Sequence, residues 1–315
     1  MMKEIILAGG SGFLGHALAG HFLNSGHSVT VLTRSPKPSG NGPREIQWDA
    51  STLGDWTREL DGAAAVINLT GRSVNCRYHP RNRKLILESR VRSTQVIGEA
   101  IAQCKTPPPV WLNASTATIY QHTFGPAWDE AGRICGTAEA KDEFSVRVAT
   151  DWERALNEAQ TPATRKIAMR AAMVLGRDEN SVFPMLCRLA QFGFGGKMGD
   201  GRQLVSWIHQ TDFCRAVEWL ISHEELLGPV NICAPNPLPN AEMMKAFRDV
   251  VGLPVGLPAA RWMLEVGAFV LRTETELILK SRRVIPRDLV ESGFQFHFPL
   301  LHQALENLRR NRKVE

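Results

Sequence analysis

The chain has 315 residues, 43% of them hydrophobic and 22% charged, with a formal net charge of +5. That length can bury a large α/β core beside a smaller domain, and no segment approaches the roughly 18 uninterrupted apolar residues of a membrane span. Cys76, Cys104, Cys135, Cys187, Cys214 and Cys233 form no CxxC pair, so neither a disulfide framework nor a zinc site is expected.

Lys3 to Ala8 is a short apolar strand pattern that runs directly into Gly9-Gly10-Ser11-Gly12-Phe13-Leu14-Gly15. From Phe13 to Asn24, Leu14, Leu18 and Phe22 recur every four residues, and Gly26 stops the helix. Such glycines permit a tight turn, close backbone approach to a pyrophosphate and close helix–strand packing, with the anion on the helix N-terminus. The strand–turn–helix context, followed by a second strand at Ser28 to Thr33, points to dinucleotide binding rather than a bare turn. That strand ends Thr33-Arg34-Ser35-Pro36, and no acid follows until Glu45. A carboxylate about twenty residues past the glycines would hold the ribose diol of NAD. Arg34 and Ser35 suit a 2′-phosphate instead, so NADP(H) is favoured; the alternative is that Arg34 is a solvated strand-end cation. The first strand starts too early to leave room for a signal or transit peptide, and with free thiols this makes the cytoplasm the expected compartment.

Strands and helices then alternate: a strand at Ala63 to Leu69, a helix at Arg81 to Cys104, a strand at Val110 to Ser115, a helix at Phe144 to Ala159 and a strand at Arg165 to Arg170. Right-handed crossovers place all strand C-termini on one edge. The candidate site is therefore the glycine loop with Arg34 and Ser35, Leu69-Thr70-Gly71, Ala114-Ser115-Thr116 and the segment from Ala171 to Gly176. Beyond it come a glycine-rich loop (Gly193, Gly195, Gly196, Gly199, Gly201), the run Gln203 to His209, Thr211-Asp212 capping a helix, and a strand at Val230 to Cys233. Asn240 caps a helix ending near Gly252, and the last sixty residues read as mostly helical with a short strand at Phe294-Gln295-Phe296. The expected fold is a Rossmann-type doubly wound parallel sheet over residues 1–176, with 203–233 contributing. Residues 177–202 and 234–315 form a smaller, mostly helical lid that supplies substrate contacts.

The positive charge gathers in Arg77 to Arg92 and Arg309 to Lys313. Leu85, Ile86, Val91, Val96 and Ile97 mark an apolar face on the first helix, so its basic residues read as a solvated face. No nucleic-acid motif accompanies them, and attraction to a polar or anionic small-molecule substrate is the expected use of the charge. The oligomeric state is left open.

The glycine loop, Asn68-Leu69-Thr70-Gly71, the segment Ser115 to Tyr120 and Ser206-Trp207-Ile208-His209 resemble extended short-chain dehydrogenase/reductases. The segments Ser206 to His209, Ala234-Pro235-Asn236-Pro237 and Asn240-Ala241-Glu242 are similar to an atypical branch of them, the NAD(P)-dependent sugar-nucleotide epimerase-like proteins. That branch carries a C-terminal domain of unknown function, here over about Pro254 to Pro299, including Ser281 to Pro286. The resemblance runs the full length and implies a Rossmann core, NADP(H), and an epimerase or oxidoreductase activity on a small polar or nucleotide-linked substrate.

Members of the wider family use Tyr-x-x-x-Lys, a phenol acid/base with a lysine that lowers its pKa. This chain has two tyrosines, Tyr78 and Tyr120, and four residues after them stand Asn82 and Phe124. If Glu153 matches the family's helix glutamate, Ser145 and Ala149 occupy the tyrosine and lysine places, on a helix packed through Phe144, Val148, Trp152 and Leu156. Thr116 matches the serine or threonine that polarises the substrate oxygen, or it satisfies a strand-end backbone group. Tyr120 is expected to line the pocket and not to be the acid. His209 is either a buried structural histidine or an acid/base; Lys141 and Asp142 are either cleft residues or a solvated helix start; Arg170 is either a nicotinamide contact or half of a salt bridge. Two functions remain: an NADP(H)-dependent epimerase or oxidoreductase with a non-standard acid, and a non-catalytic NADP(H)-binding sensor or scaffold.

Overall fold

β-branched, apolar runs separated by amphipathic helices pair side by side in the computed structural model, which describes residues 2–37, 42–270 and 274–310. In chain order the N-terminal elements are β1 (Glu4–Ala8), α1 (Phe13–Asn24), β2 (Ser28–Thr33), β3 (Arg44–Gln47), β4 (Ala65–Asn68), α2 (Pro80–Ala102), β5 (Val110–Thr116), α3 (Glu143–Glu158) and β6 (Arg165–Ala171). They continue with β7 (Met173–Leu175), α4 (Val182–Leu189), β8 (Leu204–Val205), β9 (Trp207–His209), α5 (Gln210–Ser222), β10 (Gly228–Ile232), β11 (Leu238–Pro239) and α6 (Asn240–Val251). The chain closes with α7 (Arg261–Val270), α8 (Glu276–Leu279), α9 (Arg287–Glu291) and α10 (Leu301–Arg310).

Seven strands form one sheet in the order β10-β6-β5-β4-β1-β2-β3, and every pairing in it is parallel. Parallel strands need a covering layer on both faces, which is why they read as continuous apolar runs. On one face Leu18 and Phe22 of α1 pack with Phe213 and Val217 of α5 over Leu7, Val31, Leu112 and Met169. On the other, Val96 and Ile97 of α2 and Leu156 of α3 pack on Ile6, Val66 and Trp111. This is a Rossmann-type α/β fold with a mostly helical C-terminal region. That region has its own apolar cluster, in which Phe183, Phe247, Met244, Leu305 and Leu308 meet Trp207. No helix among the described residues is long and apolar enough to cross a membrane.

Local readings fail where a distant contact takes over. Phe294 to Phe296 is not a strand: the segment turns after α9, and Phe294 N–H donates to the Leu289 carbonyl at 2.9 Å. Asp212 does not cap α5; its buried carboxylate accepts the backbone N–H groups of His297 at 2.9 Å and Phe298 at 2.8 Å. Asn240 is the first residue of α6, not its cap, and its side-chain oxygen accepts the Met198 N–H at 2.9 Å. On α2, Leu85 is exposed whereas Arg90 turns inward, its guanidinium 5.0 Å from the Trp152 ring centre. The basic tail reaches Arg309 and Arg310 in α10; 311–313 lie outside the described residues.

The C-terminal segment is fastened to the sheet edge by polar contacts. Ser206 Oγ donates to the carbonyls of Arg282 or Val284 and accepts the Val284 N–H at 2.8 Å. Lys280 and Asp142, both fully buried side chains, pair at 2.5 Å, and the Lys280 ammonium also donates to the Thr118 carbonyl at 2.6 Å. Removing one partner of such a pair leaves an uncompensated buried charge, which costs about 3–5 kcal/mol. Lys280→Ala should therefore lose about 3–5 kcal/mol in urea unfolding. A loss below about 1 kcal/mol would mean that the pair does not fasten this segment.

Candidate functional site

The ends of β1, β2, β4, β5 and β6 share one edge, and the glycine loop lies at its centre. Gly9 has φ +71°, and a β-carbon on it would lie 2.8 Å from Thr70 Cα, so loop and β4 end are in backbone contact. A β-carbon on Gly15 would lie 2.1 Å from the Gly10 carbonyl oxygen, so α1 starts hard against the turn. Gly10 is packed over Leu7 and Val31, and Phe13 rests on Gly176, where a β-carbon would come 2.3 Å from its ring. Gly12 differs from its neighbours: it faces open space, with nothing within 4 Å of a β-carbon built there. Ser11 is exposed beside it, Leu14 is half-buried against the core, and the first turn of α1 carries no acid. The amide end of α1 therefore opens to solvent beside the sheet edge, a setting that suits an anion.

Past β2, Arg34 and Ser35 are exposed, and the Arg34 guanidinium has no partner among the described residues. Glu45, the first acid, is turned away to accept the Lys37 N–H at 2.7 Å. β3 was not legible in the sequence, and it adds a groove of about 400 Å³ lined by Gln47, Trp48, Asp49, Thr52 and Trp56 among others. The groove adjoins the β2 end, because Thr33 and Gln47 are paired in register. Asp49 accepts the amides of Ser51 and Thr52 and the Thr52 hydroxyl, which hold its carboxyl well below the usual range.

The floor is a buried polar network. Asn68 donates to Asn113 at 2.7 Å and accepts the Thr70 N–H at 3.0 Å, which sets the path of Leu69-Thr70-Gly71. Arg90, lowered by burial to about 10, lies beneath Gly71 and donates to the carbonyls of Arg72 and Ile86. Ser115, which follows half-buried Ala114, donates to Glu153 at 2.6 Å. Glu153 makes a two-point pair with Arg170, both contacts at 2.8 Å. Arg170 is thus half of a buried salt bridge, and its remaining nitrogen donates to Tyr120 Oη at 2.8 Å. Tyr120 in turn donates to Asn231 at 2.7 Å; burial pushes its phenol up to about 12.

Thr116 Oγ1 accepts the Thr118 N–H at 3.1 Å and so caps the short turn after β5, leaving its own hydrogen free. Lys141 is exposed, with φ +54°, whereas its neighbour Asp142 is buried on Lys280. On α3, Ala149 is fully buried, and Ser145 Oγ donates to Glu276 Oε2 at 3.0 Å across 131 residues of sequence. Tyr78 stands against this pair from the β4–α2 loop, its ring edge-on to Phe144 at 5.0 Å. Neither Tyr78 nor Glu276 had a local pattern to mark it; only the fold brings them to Ser145.

A model of the NAD dependent epimerase/dehydratase family matches residues 5–233. The chain belongs to that family. Residues 259–308 match a domain of unknown function, starting a few residues later than the sequence patterns placed it and ending later too. The chain is 33% identical over 304 residues to an epimerase family protein of Mycobacterium leprae, covering 96% of this chain and 94% of that one. It is 29% identical to epimerase family protein YfhF of Bacillus subtilis over 99% of both chains. Among solved structures, human epimerase family protein SDR39U1 (isoform 2), crystallised with NADPH, superposes with a TM-score of 0.85 at 27% identity, over 98% of this chain and 99% of that one.

His209 stands at the start of α5. It is 1% exposed, its Nδ1 accepts the Thr211 N–H at 3.0 Å to cap α5, and its ring packs on Phe298 at 4.0 Å between centres. Burial lowers its pKa from 6.5 to about 4 against the pull of Asp212, so the ring is neutral at physiological pH. An unfolded histidine takes its proton near 6.5, so between there and 4 the unfolded chain binds more protons and stability falls as pH falls. Wild type should lose on the order of 3 kcal/mol more than His209→Gln on going from pH 7 to pH 4. Equal losses in urea unfolding would show that His209 is not buried neutral.

Proposed function

We propose that the protein binds NADP(H) in this cleft and acts as an epimerase or oxidoreductase on a small polar or nucleotide-linked substrate. The observation that carries the reading is the open space at Gly12 together with an exposed Arg34 at the end of β2 that has no partner among the described residues. The amides of Ser11 to Phe13 would hold the pyrophosphate, and Gly9, Gly10 and Gly15 keep the backbone close enough to do so. Arg34 and Ser35 would hold the 2′-phosphate, while Leu69, Thr70, Gly71, Ala114 and Ser115 form the wall along the ribose and nicotinamide, set by Asn68 and Glu153 from below. Bound there, the cofactor supplies a hydride to, or takes one from, a substrate carbon. Thr116, with its oxygen occupied by Thr118, directs its hydrogen toward a substrate oxygen. The C-terminal region closes the substrate side, and NADPH in the related human protein supports the cofactor assignment.

The missing Tyr-x-x-x-Lys keeps a second reading in play, a cofactor-binding sensor or scaffold without turnover. Both readings share one prediction. NADPH should bind at least about tenfold tighter than NADH, roughly 1.4 kcal/mol, and Arg34→Ala should erase most of that difference. Gly12→Val should abolish binding without unfolding the chain, since its branched side chain fills space that is open only to solvent. Fluorescence titration with equal affinities for the two cofactors, or with tight NADPH binding by folded Gly12→Val, would contradict the assignment.

A further inference from the structure

Three polar side chains from distant parts of the chain converge where the family pattern places its catalytic tyrosine. Ser145 of α3 donates to Glu276 of α8 at 3.0 Å. Tyr78 lies beside them, held by the Phe144 ring and by Glu274, which accepts the Tyr78 N–H at 2.7 Å. Glu276 is 6% exposed, and its second oxygen, Oε1, has no hydrogen-bond partner among the described residues. A buried, half-satisfied carboxyl is costly to the fold, and such groups concentrate where chemistry needs them. Its position is firmly set: Arg282 donates to the carbonyls of Glu276 and Leu277, and Lys280 ties the same segment to Asp142 and to the Thr118 carbonyl, two residues from Thr116.

Resting on the NADP(H) reading above, we propose that Ser145 and Glu276 form the proton-transfer site that replaces the phenol–lysine pair. The substrate is then a ketone or aldehyde whose oxygen also meets Thr116. Its oxygen takes the Ser145 proton, and NADPH as the reductant would supply the hydride to its carbon, so that C=O would become CH–OH. When Glu276 is protonated, the same 3.0 Å contact runs from its carboxyl to Ser145 Oγ; Ser145 recovers its proton along it, and the carboxylate left behind is balanced by Arg282 until water reprotonates it. In the reverse direction each proton moves the opposite way. The groups facing Glu276 are Ser145, Tyr78, Arg282, Lys280 and Asp142. Burial raises the carboxyl above its ordinary range, against the lowering effect of Ser145 and the two cations, so it retains a proton to give at higher pH than an exposed glutamate.

The test uses the full chain, NADPH, and 9,10-phenanthrenequinone as an uncharged diketone probe. Glu276→Gln and Ser145→Ala should each lower kcat at least about 10²-fold, while NADPH affinity stays within about twofold and thermal unfolding is little changed. Independently of turnover, carbon NMR of the Glu276 carboxyl should give a titration midpoint above the ordinary glutamate range. Ser145→Ala should raise it further, because that variant removes a hydrogen bond to the charged form. Absence of NADPH binding in the wild type would overturn the cofactor reading and this proposal with it. With NADPH bound, failure of the wild type to reduce the probe, undiminished kcat in both variants, or an ordinary midpoint would overturn the proton-transfer assignment alone.

Discussion

No side chain fits at position 15, because a β-carbon there would sit 2.1 Å from the Gly10 carbonyl oxygen. That close approach lets α1 begin directly above the end of β1, with its first amides facing the sheet edge. Everything at the cleft is referred to this point. β2 and β4 lie on either side of β1, so Arg34 flanks the loop on one side and Thr70 touches Gly9 on the other. Backbone contacts hold the loop on both sides, and it opens to solvent at Ser11 and Gly12. Pre-set amides of this kind bind an anion without having to be ordered first.

The second constraint is electrostatic and comes from the C-terminal region. Ser206 and the Lys280–Asp142 pair hold residues 276–284 against α3 and the turn after β5. Burying those charges is tolerable only because each finds a partner. Glu276 is satisfied only in part, with one oxygen bonded to Ser145 and the other without a hydrogen-bond partner among the described residues, as is Arg282 Nε. This half-satisfied carboxyl beside Ser145 is the group proposed above to stand in for the family's absent tyrosine. The remaining candidates have other employment: Tyr120 and Arg170 brace the floor, and His209 caps α5.

The Rossmann half was legible because its signals are local. Glycine spacing, four-residue apolar periodicity and continuous β-branched runs each lie within one element, and the parallel sheet follows from their alternation. The glycine turn at the start of α1 and the exposed strand-end Arg34 were readable for the same reason. What escaped depends on contacts across long separations. Glu276 meets Ser145 across 131 residues, and Asp142 is drawn inside by Lys280, although beside exposed Lys141 it looks like a solvated helix start. Arg90 sits within a run of exposed cations, yet Trp152 from another helix turns it inward. Asp212 and Asn240 have the composition of caps, but loops packed from elsewhere claim their side chains first. β3, only four residues long and half-buried, has no apolar run to announce it.

The most direct test of this account is a crystal structure of the protein grown with NADPH. The account places the pyrophosphate over Gly12, the 2′-phosphate on Arg34 and Ser35, and the nicotinamide ring between Thr116 and the Ser145–Glu276 pair. A cofactor bound away from the glycine loop, or one whose 2′-phosphate does not touch Arg34, would contradict it.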